Sequence, residues 1–228
     1  MISKPSLGTL LSFNGGYVDT AGFLALQGLF TAHVTGNFVT FGAAIANGTS
    51  GAYAKLLALP VFCVVVVSTR LVSHRLIDRG WPVLTILLTA QTVLLFAGGT
   101  LAILLGPFAN ADTGPALLTG MTLVTAMAVQ NAAHRAHLAE VPPSTLMTGT
   151  TTQIMIDVAD LACGKTDASV VRPRLVRLAS SVATFAVGCG LAALLYAALG
   201  CWCFAIPPLV MLVGLVMNEP IPARVRAS

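Results

Sequence analysis

The longest stretch of this chain without a charged residue runs from Leu178 to Asn218 and constrains the fold more than any other feature. It contains 41 residues, and as a helix it would rise about 60 Å at about 1.5 Å per residue. This is roughly twice the thickness of the hydrocarbon core of a bilayer. The stretch therefore crosses a membrane twice, and we expect it to turn near Gly200.

The composition extends this conclusion to the whole chain. Of the 228 residues, 56% are hydrophobic and 9% are charged, whereas an ordinary soluble domain has about 25% charged residues. We predict an all-α, polytopic membrane protein whose immediate partner is the lipid bilayer. The net charge of +4 is interpreted as a topology signal, with no nucleic-acid partner. The five cysteines lack metal-site spacing, so we expect no cofactor, metal or disulfide.

Eight apolar segments divide the sequence, and two of them are unusual. The segment 36–47 is short, and the segment 145–162 is rich in Thr and contains acidic residues. Both would make poor lipid-facing helices. The eight segments lie at about 7–31, 36–47, 54–73, 82–106, 115–133, 145–162, 176–199 and 201–217.

Basic residues distinguish two topologies for these segments. If all eight cross and the N-terminus is cytoplasmic, the twelve basic residues divide eight inside and four outside, the four being Arg70, Arg75, Arg79 and Arg135. If the two unusual segments enter and return on one side, every basic residue except Lys55 is cytoplasmic. The positive-inside rule favours this second model. It has six crossings, two re-entrant elements and both termini in the cytoplasm.

The two unusual segments also resemble each other. The sequence "HVTGNFVT" at 33–40 aligns with "LMTGTTTQ" at 146–153, and Asp19 upstream of the first corresponds to Asn131 upstream of the second. We predict one domain made of two repeats, 7–106 and 115–217. Three crossings in each repeat would invert the second copy, as in many secondary transporters.

The motifs "GGYVDTAGFLAL", "TAHVTGN", "AVQNAAHRAHL" and "LMTGT" resemble the paired signatures of the YoaK-like family. These are bacterial multi-pass membrane proteins whose domain has no established function. The resemblance extends from about Leu7 to Met217. It implies a bacterial inner membrane and no particular substrate.

Candidate solute-binding residues in the first repeat surround its polar element. Asp19 is an ionisable residue inside a predicted span, where a charge is costly unless it is paired or neutral. We expect either a proton-responsive role or a structural pair with His33. Thr35, Gly36 and Asn37 are expected to cap a half-helix, and its N-terminus would attract an anionic or hydrogen-bonding ligand.

Candidates in the second repeat occupy equivalent positions. Gln130 and Asn131 near the end of a crossing would bind solute or make bonds between helices. Thr148 and Gly149 repeat the Thr-Gly element. Gln153 shares a helical face with Asp157, the deeper of two carboxylates.

Other polar residues near the second element are given weaker roles. His134 and His137 are expected in a solvated loop, because no third metal ligand is near them. Asp160 is expected to meet water or the basic residues that follow it. Paired glycines at 98–99 and at 188 and 190 are interpreted as sites of close helix packing.

These features favour a small secondary transporter or permease for an unidentified, anionic or hydrogen-bonding solute, with proton coupling through Asp19. A channel would use the same residues, and a non-catalytic scaffold would tolerate substitution of Asp19 and Asn37. No ATP-binding loop or hydrolase motif occurs, so we do not expect an enzyme. The small size of the chain suggests a homodimer.

Overall fold

A computed structural model describes residues 6–145 and 147–218, and all regular structure within those ranges is helical. This confirms the all-α prediction. The helices are α1 Leu7–Ala25, α2 Gly36–Asn47, α3 Ala52–Asp78, α4 Val83–Leu105, α5 Gly114–His137, α6 Met147–Ala162, α7 Ala168–Leu199 and α8 Ile206–Met217, with a 3-10 turn at Gly200–Ala205 before α8.

The helix ends follow local conformation as well as hydrophobicity. The apolar segment predicted to reach residue 31 stops being helical at Ala25, because Gln27 and Gly28 adopt positive φ angles of 52° and 86°. Gly200, with a φ of 57°, ends α7, as the sequence predicts. A positive φ is easily adopted by glycine and is unusual for Gln27.

Four helical segments in the described part of the chain are long and apolar enough to cross a membrane: Ala52–Asp78, Val83–Leu105, Gly114–His137 and Ala168–Met217. The last of these contains α7, the 3-10 turn and α8. Together with the composition, they make this a helical membrane protein. Helix α1, whose apolar sequence is interrupted by Asn14 and Asp19, and the shorter helices α2 and α6 are not among the four.

Contacts between loops define one end of the bundle. The Gln27 side-chain amide donates to the Phe108 carbonyl at 3.2 Å. The Gly51 N–H group donates to the Asp112 carboxylate at 2.8 Å, and this carboxylate also accepts from the Ala54 N–H group at the start of α3. We call this the Asp112 end.

The opposite end contains most of the basic side chains. Asn218, after α8, donates to the Thr85 hydroxyl near the start of α4 at 3.2 Å. The segment 139–143, after α5, shares a surface depression with Arg174 and Arg177 near the start of α7. We call this the Arg174 end.

Small residues allow close contact between α1 and α7. A Cβ atom at Gly16 would collide with the Phe185 carbonyl oxygen, and one at Gly188 would collide with the Phe13 carbonyl oxygen. The two glycines therefore pack against each other's helix backbone. Gly190 has open space around its Cα, so of the pair predicted to mediate packing only Gly188 does so.

The remaining helices pack around α1 and α5. Helix α1 contacts α7 and α8, whereas α5 contacts α3 and α4. The short helix α2 packs on α3, and α6 packs on α7. The polar segments that precede α2 and α6 are thereby held close to the two central helices.

Candidate functional site

The chain after α1 turns back along that helix, and Asp19 holds it there. Asp19 Oδ1 accepts hydrogen bonds from the backbone N–H groups of Thr31 at 2.8 Å and Ala32 at 2.7 Å. Asp19 lies about 9 Å before the end of α1, at about 1.5 Å per residue. The segment 26–35, which we call the first return loop, thus passes the end of α1 and comes back.

The second oxygen of Asp19 binds a histidine of this loop. Asp19 Oδ2 lies 2.6 Å from His33 Nδ1. The carboxylate is buried, whereas the imidazole is partly exposed and meets the edge of the Phe185 ring at 5.5 Å between centroids. The structure therefore places Asp19 in the expected pair with His33.

Helix α2 begins directly after the first return loop. Asn37 binds Phe30 twice at 2.8 Å, because its Oδ1 accepts from the Phe30 N–H group and its Nδ2 donates to the Phe30 carbonyl. Gly36 lies against the Phe30 ring, where a Cβ would come within 3.0 Å of the ring. Asn37 and Gly36 therefore fix the start of the helix.

The prediction that Thr35 caps α2 through its side chain is wrong. Thr35 has helical dihedral angles and makes no side-chain capping bond. The N–H groups of Gly36, Asn37 and Phe38 donate instead to carbonyls three residues earlier. The Thr35 side chain is exposed.

A second segment turns back after α5 in a similar way. The Thr145 hydroxyl donates to Asn131 Oδ1 at 2.6 Å, and Gln130 Nε2 donates to the Ser144 hydroxyl at 3.1 Å. We call residues 138–145 the second return loop. Asn131 binds a residue 14 positions later, whereas Asp19 binds one 12 positions later. Asp19 and Asn131, which are aligned in the two repeats, therefore each hold the loop that follows their own helix.

Gln130 also anchors a buried cluster of amides. Its Oε1 accepts from Asn14 Nδ2 at 2.9 Å and from Gln91 Nε2 at 2.6 Å, and its Nε2 donates to the Leu11 carbonyl at 2.9 Å. The three amide side chains are fully buried. Sequence reasoning missed Asn14 and Gln91 as partners, although each interrupts an apolar segment.

The two return loops come together on one face of α1. The first loop is bonded to Asp19, and Gly15 lies one helical turn before Asp19 on the same face. Gly15 allows the second loop to approach α1, since a Cβ there would come within 2.9 Å of the Ser144 carbonyl oxygen. Helix α2 begins just after the first loop, and α6 begins just after the second.

The polar residues of α6 are divided between surface and α7. Thr148 and Gly149 are exposed. Gln153 Nε2 donates to Asp157 Oδ1 at 2.8 Å, which confirms the shared face. Arg174 Nε and Nη2 bind the two Asp157 oxygens at 2.9 and 2.6 Å. The hydrogen bonds from Arg174, and then from Gln153, lower the pKa of Asp157.

The Asp157 carboxylate is therefore part of the contact between α6 and α7. It could bond directly to a solute only if the Arg174 side chain first moved away. Asp160 is partly exposed, in keeping with the expected contact with water. No group of three or more potential metal-ligating side chains occurs among residues 6–145 and 147–218.

His134 does not lie in a solvated loop. Helix α5 continues to His137, and the second return loop covers His134, whose Nε2 lies 3.3 Å from the Val141 carbonyl. A cleft of about 80 Å³ at the Arg174 end is lined by Asn131, His134, Arg135, Ser144 and Thr145, among others. This cleft extends from the protein surface to Ser144 and Thr145 of the second return loop.

The chain belongs to the family described as "Protein of unknown function (DUF1275)", whose model matches residues 7–217. This family is consistent with the resemblance to YoaK-like proteins, and the matched range agrees with the range inferred from the motifs. No curated protein and no solved structure matches the chain.

Proposed function

Starting from a family with no assigned activity, we propose that this protein is a secondary transporter for a small anionic or hydrogen-bonding solute. Its site lies where the two return loops meet. The protein acts in the bacterial inner membrane as a homodimer, with both termini in the cytoplasm. The meeting of the two loops on α1, at Asp19 and Gly15, carries this proposal, because it joins polar elements from the two halves of the chain.

The proposed topology has six crossings, made by α1, α3, α4, α5, α7 and α8. Two contacts support it. The Gly51–Asp112 hydrogen bond groups the loop before α3 with the loop before α5, and the 139–143 segment lies beside Arg174 and Arg177. Most basic residues then occupy the Arg174 end, which the positive-inside rule assigns to the cytoplasm.

The proposed inverted repeat is supported by the pattern of helix contacts. In the first half a long helix, a return loop and a short helix are followed by two long helices, and the second half has the same order. Helix α1 packs on α7, and its counterpart α5 packs on α3, the counterpart of α7. Reciprocal packing of this kind is expected when two inverted copies interlock.

The ends of α2 and α6 favour a solute that accepts hydrogen bonds or carries negative charge. Both helices start near the contact between the loops, so the positive ends of their dipoles face this region. The first N–H groups of α2 are already bonded within the chain. The dipole and the His33 ring, rather than free N–H groups, therefore supply the attraction.

The Asp19–His33 pair provides a means of proton coupling. The two side chains are ionisable, they are 2.6 Å apart, and Asp19 also holds the first return loop. A proton taken up by the Asp19 carboxylate itself would weaken its hydrogen bonds to the N–H groups of the loop. Movement of the loop against α1 would then link proton binding to access from one side.

A thermal-shift screen of inorganic anions and small carboxylates against the purified protein would first identify a ligand. Flux of that ligand is then measured in liposomes containing a pH-sensitive dye, with empty liposomes as the baseline. We expect saturable, proton-linked uptake that falls at least tenfold in Asp19→Asn. The control Asp160→Asn alters a partly exposed carboxylate of α6 and should retain uptake.

Three outcomes would count against this proposal. Failure of every anion and carboxylate to stabilise the protein would rule out an anionic solute. Unchanged flux in Asp19→Asn would remove the coupling role. Flux that rises linearly with concentration, without saturation, would indicate a channel using the same site.

A further inference from the structure

A groove of about 280 Å³ lies between α3 and α5. Helix α3 contributes residues spaced three or four apart, which share one helical face. Residues of α5 at a similar spacing form the opposite wall. The walls include Val66, Thr69, Arg70 and Ser73 from α3, and Ala132 and Arg135 from α5.

Two arginines line this groove without a carboxylate partner. Within residues 6–145 and 147–218, neither Arg70 nor Arg135 takes part in an ion pair; the two pairs there are His33–Asp19 and Arg174–Asp157. Like charges that share a groove repel each other, so an anion between them would be stabilised.

The position of the groove matches the level of lipid headgroups. Helix α3 has 27 residues and is about 40 Å long, which exceeds the roughly 30 Å hydrocarbon core. Arg70 lies about 12 Å from the end of α3, and Arg135 is two residues from the end of α5. Both therefore lie near the membrane boundary at the Arg174 end.

The surface around the groove is apolar. Val67 and Leu71, beside Arg70 on α3, are 59% and 57% exposed. In a membrane protein such side chains contact acyl chains. The groove thus combines apolar walls with two guanidinium groups, which form paired hydrogen bonds with phosphate oxygens.

We propose that this groove binds the headgroup of an anionic phospholipid in the leaflet at the Arg174 end. The phosphate lies between Arg70 and Arg135, and one acyl chain descends along Val66. Basic pockets between helices are a known mode of anionic lipid recognition. The site does not depend on the proposed transport function: it uses none of the residues of the return loops, and only Arg135 is shared with the cleft beside the second loop.

The test is native mass spectrometry of the purified full chain in detergent, with phosphatidylglycerol or phosphatidylcholine added at equal concentrations. We expect the wild type to retain phosphatidylglycerol preferentially. Arg70→Gln and Arg135→Gln should each reduce retention roughly five-fold, and the double variant should abolish the preference. As controls, Arg75→Gln and Arg79→Gln change exposed arginines of the same segment that lie outside the groove. Both variants should keep the preference for phosphatidylglycerol.

Melting temperatures in the same detergent show whether each variant is folded and give a second readout. Phosphatidylglycerol should raise the melting temperature of the wild type more than that of the folded double variant. Equal retention of the two lipids by the wild type would overturn the proposal, and so would full retention by the double variant. Equal protection by free glycerol phosphate would also overturn it, because the ligand would then be a soluble anion.

Discussion

Asp19 and Gly15 lie one turn apart on α1, and each contacts a different return loop: Asp19 accepts from the first loop, and Gly15 leaves room for the Ser144 carbonyl of the second. Each loop is also held by a polar residue of the helix before it, Asp19 in α1 or Asn131 in α5. Helix α1 therefore links the two loops. Displacing either loop would change the environment of the other, as an alternating-access mechanism requires.

Removing the Asp19 side chain should destabilise the protein more than neutralising it. Asp19→Ala leaves the buried N–H groups of Thr31 and Ala32 without their acceptor, and each such loss costs about 1–3 kcal/mol. Asp19→Asn keeps one acceptor oxygen and a similar shape. We expect a clearly lower melting temperature for Asp19→Ala and a smaller decrease for Asp19→Asn.

Thermal unfolding in detergent, followed by tryptophan fluorescence, would measure both variants. Equal melting temperatures for Asp19→Ala and wild type would contradict the tethering role. A large loss in Asp19→Asn would mean that the charge itself, through His33, stabilises the loop.

The second tether can be tested with a pair of threonines. Thr145→Val removes the hydroxyl that donates to Asn131 and leaves this oxygen without that donor. Thr152→Val is the control, because the Thr152 hydroxyl is exposed and bonds only the Thr148 carbonyl in its own helix. We expect Thr145→Val to cost about 1 kcal/mol more than the control.

Proteolysis of the 138–145 segment would give a second measure of this tether. The loop should be cleaved faster in Thr145→Val than in Thr152→Val. Identical cleavage rates would indicate that packing against Gly15, rather than the hydroxyl, holds the loop.

Hydrophobic runs predicted the long helices well, because membrane-crossing helices need continuous apolar sequence. The start of α4 and the end of α7 each fall within one residue of the predicted segment. The end of α1 does not. Phe23 to Phe30 is apolar enough to continue a helix, but Gln27 and Gly28 turn the chain, and hydropathy carries no information about φ.

The site was predicted in part, for a related reason. Asp19 could be identified because an ionisable side chain within a membrane span costs free energy unless it has a role. Its bond to His33 could be anticipated because the two residues are only 14 positions apart in the sequence. The partners of Gln130 come from α1 and α4, far away in the chain. Their meeting depends on how the helices pack, which a single sequence does not specify.

The reciprocal glycine contact between α1 and α7 should be sensitive to one methyl group. Gly188→Ala would force a Cβ against the Phe13 carbonyl and separate the helices, at a cost of about 1–3 kcal/mol. Gly190→Ala has open space and should be neutral or slightly stabilising. Melting temperatures of the two variants would test this, and equal values would show that α1 and α7 do not pack through Gly188.

The Asp157–Arg174 pair should make stability depend on pH. Because Arg174 lowers the pKa of Asp157 in the folded protein, the pair contributes stability above the ordinary carboxyl pKa. This contribution is lost as pH falls through the lowered pKa. The difference in melting temperature between wild type and Asp157→Asn should therefore be largest near neutral pH and shrink in acid. A difference that stays constant with pH would contradict this role.

Topology reporters distinguish six crossings from eight. Reporters fused after residues 50, 78, 110 and 138 should lie outside, inside, outside and inside, because 50 and 110 flank the Asp112 end whereas 78 and 138 lie at the other. Eight crossings would reverse all four. Reversal would place α2 across the membrane and remove the inverted repeat. The expected pattern would instead require α2 to return to the side that the first return loop enters from.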